Sequence, residues 1–275
     1  MQKIIFITFA DSKYHAALER IKTQVDQFPC FDERYYLSER DLDLSFKKTL
    51  KNTLHPRGFG YWKWKPYIVK QAFDKLNLND ILVYSDVGNW WNLEGYNKFI
   101  NYISIVNNQD SGLLVFTEDY TEKNFTKGDL FDYLNVYNDL IYTDTPQSWG
   151  GCFIFRKTKT SSEVIDRWLD LHMNHYDLTT DKKSIKENFP EYISHRHDQS
   201  TLSLIVKSYN HAIIAKNETV EPNGQWDLMI NYPIQARRAK KRPISKLTFP
   251  WRYLVGLYLM IFEKMQFNER NTWWF

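Results

Sequence analysis

Short apolar runs, separated by longer stretches with helical spacing, constrain this chain more than any other feature. Residues 3–9 (Lys-Ile-Ile-Phe-Ile-Thr-Phe), 80–84, 112–116, 152–155 and 212–215 are largely apolar and too short for ordinary helices. Such runs suit strands buried on both faces. Residues 34–37 (Arg-Tyr-Tyr-Leu) form a weaker strand candidate. Behind a cap at Asp11 or Ser12, residues Tyr14, Ala17, Leu18, Ile21 and Val25 recur on one helical face. Further helices are expected over about 44–54, from Pro66 to about 76, and over 93–106, 161–176 and 199–209, Pro66 being tolerated in a first turn. Strands alternating with helices predict an α/β fold with a mainly parallel sheet. Ligands of such sheets bind outside the carboxyl ends of the strands. That places three segments at a ligand edge: the turn at 8–10, Asp86, and the residues before Cys152.

Composition narrows the class. With 275 residues, 43% hydrophobic and 25% charged, the chain reads as globular and suits one domain with an appendage. Its 2 cysteines, Cys30 and Cys152, form no metal-ligand spacing and no disulfide framework, which fits a reducing compartment. No basic segment with a cleavable small-residue site precedes the first apolar run, so a cytoplasmic protein without a signal peptide is expected. Aromatic residues make up 17%, including 10 Trp and 18 Tyr. Such rings serve cores and sugar-binding surfaces alike.

Four segments can carry chemistry. Asp86 ends the run Ile81-Leu-Val-Tyr-Ser-Asp86-Val-Gly88, which sets a carboxylate at a sheet edge beside open backbone. A carboxylate there can hold a divalent cation against a diphosphate, or can be an ordinary turn acid. Arg57-Gly58-Phe59-Gly60-Tyr61-Trp62-Lys63-Trp64-Lys65-Pro66 joins cations, exposed N–H groups and stacking rings, but is neither a P-loop nor a dinucleotide turn. In His195-Arg196-His197-Asp198-Gln199-Ser200 the acid or the serine can cap a helix, and the histidines can do acid–base work, although no standard zinc spacing is present. In Gln147-Ser148-Trp149-Gly150-Gly151 the paired glycines ahead of a strand let a ligand approach the backbone.

Taken in order, Phe6–Ala10, Arg57–Pro66, Asp80–Gly88, Gly150-Gly151 and His195–Ser200 resemble bacterial polysaccharide and lipopolysaccharide glycosyltransferases, distantly similar to glycosyltransferase family 8, over about residues 3–236. The resemblance implies a GT-A-like, Rossmann-related fold with a mixed, mainly parallel sheet, and transfer of a hexose from a nucleotide-diphosphate sugar, expected to be a UDP-sugar. By position it implies donor-binding roles for Thr8, Phe9, Ala10, Arg57, Tyr61, Lys65, Asp86 and Gly88. It implies acceptor contacts at Gln147, Gly150, Gly151 and His197, and catalytic roles for Asp198 and Gln199. Asp86 takes the place of the first aspartate of an Asp-x-Asp motif, while Gly88 stands where the second is usual. Asp86 is then the one candidate ligand for Mn²⁺ or Mg²⁺, with Arg57 and Lys65 as alternative carriers of positive charge. Retention of anomeric configuration follows from the resemblance; an inverting reaction with Asp198 as base stays open.

The tail, 237–275, is expected to be a basic, aromatic, helical appendage to a catalytic domain over 1–236. It carries a net charge of +7 against −4 for the rest. Its apolar stretch, 253–262, is too short to span a bilayer, but basic residues beside Trp, Tyr and Leu suit an anionic membrane surface or packing on the body. No nucleic-acid module accompanies the basic run. Two rivals remain at this stage: a glycan-binding or scaffold subunit of a polysaccharide assembly complex, and a sugar nucleotidyltransferase. The latter would need a Gly-rich phosphate loop after the first strand, where Ala10-Asp11-Ser12-Lys13 stands.

Overall fold

Six strands form one sheet in the order β2-β1-β3-β6-β5-β7. They are β1 (Ile4–Phe9), β2 (Glu33–Leu37), β3 (Ile81–Ser85), β5 (Leu113–Thr121), β6 (Pro146–Arg156) and β7 (Ala212–Ile214). β1 runs parallel to β2 and β3, and β5 parallel to β7; β6 is antiparallel to both β3 and β5. A second, two-stranded sheet pairs β4 (Trp90–Trp91) with β8 (Ile234–Gln235). The structure, a computed structural model, describes residues 2–51 and 57–237.

The central strands are apolar on both faces because helices cover both. Phe6, Val83, Leu114 and Ile154 pack against α1 (His15–Val25) and α4 (Tyr96–Asn107) through Leu18, Ile21, Val25, Phe99 and Val106. Ile5, Leu82, Tyr84, Val115, Phe153 and Phe155 face α3 (Trp64–Asp74), α5 (Lys159–Asn174) and α6 (Asp198–Lys207). One further helix, α2 (Leu44–Lys51), sends Phe46 to the same face, where its ring stacks on Tyr67 at 3.8 Å. Complete burial of a side chain such as Phe6 or Phe153 contributes about 1.5–3 kcal/mol each. The expected α/β architecture with a mainly parallel sheet is therefore present.

Several local expectations change. The helix predicted over 93–106 opens as a 3₁₀ turn, Leu93–Gly95, before α4. The strands expected at 112–116 and 152–155 are much longer in β5 and β6. Gly150 and Gly151 consequently lie inside β6 rather than ahead of it, because the strand stays paired with β5 as far as Pro146. The continuation of α2 beyond residue 51 and the whole of 238–275, with the expected tail helix, lie outside the described residues. Among the described residues no helix is long and apolar enough to cross a membrane.

Candidate functional site

The antiparallel course of β6 determines what meets at the sheet edge. Ser85, the last residue of β3, is in register with Cys152, so Gly150-Gly151 arrive beside Asp86. The Asp86 amide donates to the Gly151 carbonyl at 2.8 Å. Asn89 closes the turn by donating to the same carbonyl at 2.8 Å and to Ser85 Oγ at 3.1 Å. From α1, the Arg20 guanidinium donates to the carbonyls of Val87 (2.6 Å) and Asn89 (2.9 Å), which clamps the turn from outside.

Lys65 is the hub. It lies in the first turn of α3 and is buried, with its ammonium 3.1 Å from Asp86 Oδ1 and ion-paired with Asp198 Oδ2. It also donates to the Gly150 carbonyl at 3.2 Å. The Tyr84 hydroxyl donates to Asp86 Oδ1 at 2.6 Å. Asp86 keeps 39% of its side chain exposed while Asp198 keeps 7%, so Asp86 is the member of the pair open to a ligand. Burial opposes charge on Lys65, and the two carboxylates outweigh it, holding the ammonium above its usual range. Burial raises the Asp198 carboxyl; Lys65 restrains the rise and the Asp86 charge adds to it, leaving it at about 6. The sequence offered Asp198 as a helix cap. In the structure His197 occupies the cap position, Asp198 begins α6, and its carboxylate turns inward to Lys65.

The Arg57–Pro66 segment delivers Lys65 through an unusual backbone. Gly58, Phe59, Gly60, Tyr61 and Trp62 all have positive φ, a left-handed turn closed by Tyr61 N–H to the Arg57 carbonyl at 2.8 Å and Trp62 N–H to the Gly58 carbonyl at 3.0 Å. Three of these residues carry side chains that disfavour this conformation. Such strain persists where surrounding contacts over-determine it, and it concentrates at functional sites. Here the Trp64 indole donates to the Gly58 carbonyl at 3.0 Å and stacks on Phe9 at 4.2 Å, while Trp62 stacks on His197 at 5.1 Å.

His197 itself sits at φ +49°, and its Nδ1 meets the Thr179 carbonyl at 2.8 Å. Burial lowers its pKa to about 4, with the Thr179 contact opposing. It is therefore neutral near pH 7, with Nδ1 carrying the proton donated to Thr179. Arg57 is on the rim and pairs with Asp181 at 2.5 Å.

Gln199 is held from three sides. The Gly150 N–H donates to its Oε1 at 3.1 Å, and its amide donates to the Tyr120 hydroxyl (2.9 Å) and to Gln147 Oε1 (2.6 Å). Both amide protons are spent, which fixes the orientation and leaves the carbonyl oxygen one free lone pair. A Cβ on Gly150 would lie 2.9 Å from Gln199 Cβ, so the glycine permits this approach of α6 to the sheet.

The structure thus brings Lys65, Asp86, Gly150, Gly151, Asp198 and Gln199 together. Gln147 is fully buried and donates to Glu122 (2.8 Å) and Thr126 (3.1 Å), reaching the cluster through Gln199 alone. Thr8, Phe9 and Ala10 are buried at the end of β1; Tyr61 is buried beside His197, 5.1 Å away between ring centroids. Sequence reasoning missed Tyr84, Asn89, Tyr120 and Arg20. Tyr84 stands within the Ile81–Gly88 segment and Asn89 directly follows it, so both could have been found there; Tyr120 and Arg20 carry no local signal.

A divalent cation does not fit these residues as a protein-built site. Asp86 supplies one carboxylate, already shared with Tyr84 and Lys65; Gly88 supplies none; Asp198 is turned onto Lys65. Among the described residues no group of three or more His, Cys, Asp or Glu gathers around a common point.

No protein-family model and no curated protein sequence matches the chain. Solved structures do match. A glycosyltransferase involved in glycosylation of the major capsid of PBCV-1 aligns over 87% of this chain and 95% of its own, at 13% identity and a TM-score of 0.51. The galactosyltransferase LgtC, in complex with donor and acceptor sugar analogues, aligns over 85% of this chain and 86% of its own, at 10% identity and TM-score 0.44. GlyE of Streptococcus pneumoniae TIGR4 aligns over 90% of this chain and 57% of its own, at 10% identity and TM-score 0.45. The first of these likenesses, together with the six-stranded mixed sheet, establishes a GT-A-like fold.

Proposed function

We propose that this chain is a glycosyltransferase that moves a hexose from a nucleotide-diphosphate sugar, in the first instance a UDP-sugar, to a cell-surface glycan or lipid-linked acceptor. The observation that carries the reading is the Lys65-bridged pair of Asp86 and Asp198 at the carboxyl edge of β3, beside Gly150-Gly151 and the oriented amide of Gln199. Ligands of open α/β sheets bind at that edge. A buried charge cluster supported by a strained turn is expensive to maintain, and that expense favours a functional role.

The residues divide the work. Asp86, partly exposed, meets the donor. Lys65 holds both carboxylates in place, a preorganised field that needs no rearrangement during reaction. Asp198 is buried and bound to Lys65, so it positions more readily than it accepts an acceptor proton. Gln199 offers a fixed carbonyl oxygen. This division favours retention of configuration over an inverting reaction with Asp198 as base. Arg57, exposed and paired with Asp181, is the cation assigned to the phosphate side in this reading. The basic tail, 237–275, would hold the protein at the anionic inner face of the cytoplasmic membrane, where lipid-linked acceptors are found.

The test is turnover of UDP-hexoses by the purified chain, with Mn²⁺, with Mg²⁺ and with chelator. Release of UDP is expected, and its loss in Asp86→Ala and Asp198→Ala variants that still fold. Turnover unchanged in both variants would sink the assignment of the site.

A further inference from the structure

On the face of the β4/β8 sheet, a cavity of about 240 Å³ is bordered by Trp90, Asn92, Trp226, Asp227, Gln235 and Arg237. It lies outside the Lys65 cluster and shares no residue with it. Four side chains form a ladder beside it, of which Arg20 does not line the cavity and is the clamp on the Asp86–Asn89 turn. The Arg20 guanidinium lies 4.7 Å from the Trp90 ring, and Arg237 lies 5.4 Å from Trp90 and 5.2 Å from Trp226. Cations over indole faces are attracted by the ring quadrupole.

Two polar atoms of the residues that line this cavity are unpaired among the described residues. Trp90 Nε1 and Arg237 Nε are both buried without a hydrogen-bond partner, and both are donors. Arg237 makes one long bond, to the Trp226 carbonyl at 3.5 Å. Asp227 is exposed and its charge acts on the Arg237 guanidinium, but among the described residues no ion pair joins the two. Buried donors left unpaired cost about 1–3 kcal/mol each; the other N–H groups of the Arg237 fork have, among the described residues, only the long contact to Trp226, so an acceptor in the cavity would complete them.

We propose that this cavity binds a carboxylate-bearing sugar ring, a uronate residue of a glycan. The guanidinium fork suits a carboxylate. The indoles of Trp90 and Trp226, which line the cavity, supply flat apolar surface for the ring's C–H side. At about 240 Å³ the space falls below the ~300 Å³ typical of pockets for drug-sized ligands, which fits one pyranose. A bare anion would leave the indole faces unused. The assignment concerns binding alone and holds whether or not the chain transfers sugars.

The test titrates the full chain with methyl glucuronide, methyl glucoside and acetate, by calorimetry and by quenching of tryptophan fluorescence. The glucuronide is expected to bind about tenfold or more tightly than either of the others, the worth of one charge-assisted hydrogen bond. Arg237→Ala should weaken it by about the same factor, and Asp86→Ala should leave it unchanged. Unfolding midpoints establish that each variant folds; if Arg237→Ala does not, Arg237→Gln keeps the side-chain reach and replaces it. Equal binding of glucoside and glucuronide, acetate matching the glucuronide, binding that survives loss of Arg237, loss in Asp86→Ala, or no binding at all would each overturn the proposal.

Discussion

Replacing Lys65 with methionine removes the ammonium and keeps most of the volume. The variant leaves Asp198 buried with no cation and still close to the Asp86 charge. In the parent protein burial raises the Asp198 carboxyl, Lys65 restrains it, and the balance stands at about 6. Without Lys65 it rises further. The sign follows from linkage: a carboxyl raised in the folded chain binds protons that the unfolded chain has released, so stability is lost as pH rises towards the folded pKa. Parent and variant share that loss up to pH 6. Above it the parent curve levels off, while the variant continues to lose about 1.4 kcal/mol per pH unit. Between pH 6 and pH 8 the gap should therefore widen by up to about 2.7 kcal/mol. At pH 8 the total should approach the ~3–5 kcal/mol typical of breaking a buried ion pair from one side. Urea unfolding of both proteins from pH 5.5 to pH 8 measures it. A difference that stays constant across this range would refute the placement of Lys65 between the two acids.

Two further outcomes follow from the same geometry. Gly58→Ala forces a side chain into φ +57° with its Cβ 2.4 Å from the Trp62 ring, so it should cost about 1–3 kcal/mol in urea unfolding; a change within about 0.5 kcal/mol would show that the left-handed turn is not held as described. Because Asp198 takes up a proton as pH falls through about 6, kcat/KM for donor turnover should fall on the acid side with a limb there, and a profile flat down to pH 5 would remove Asp198 ionisation from the account.

The sequence made the layers legible because buried parallel strands are continuous apolar runs, and β1 and β3 announce themselves as such. It placed Asp86 at a strand end for the same reason. The role of Asp198 was not legible. A short acid before a helix reads as a cap, and only the packing of α3 against α5 and α6 shows that Lys65, 133 positions earlier, competes for it and wins. The glycine pair reads as a strand entry because Gly150-Gly151 interrupt the apolar run, yet β6 continues through them, since its backbone pairing with β5 does not depend on side chains. β4 and β8 were missed for a plainer reason: two-residue strands have no periodicity to detect. The network of Glu122, Gln147, Ser203 and Lys207 was equally invisible, because its buried 3.0 Å Lys207–Glu122 pair joins residues far apart in sequence.

The central claim is that the Asp86–Lys65–Asp198 cluster serves a nucleotide-sugar donor. The most direct measurement is UDP release from a panel of UDP-hexoses by the purified chain, with proton NMR following the anomer of the first sugar product. The account predicts UDP release with an α-linked donor giving an α-configured product, and loss of that release in Asp86→Ala and Asp198→Ala. No turnover of any nucleotide sugar, with or without Mn²⁺ or Mg²⁺, would contradict it.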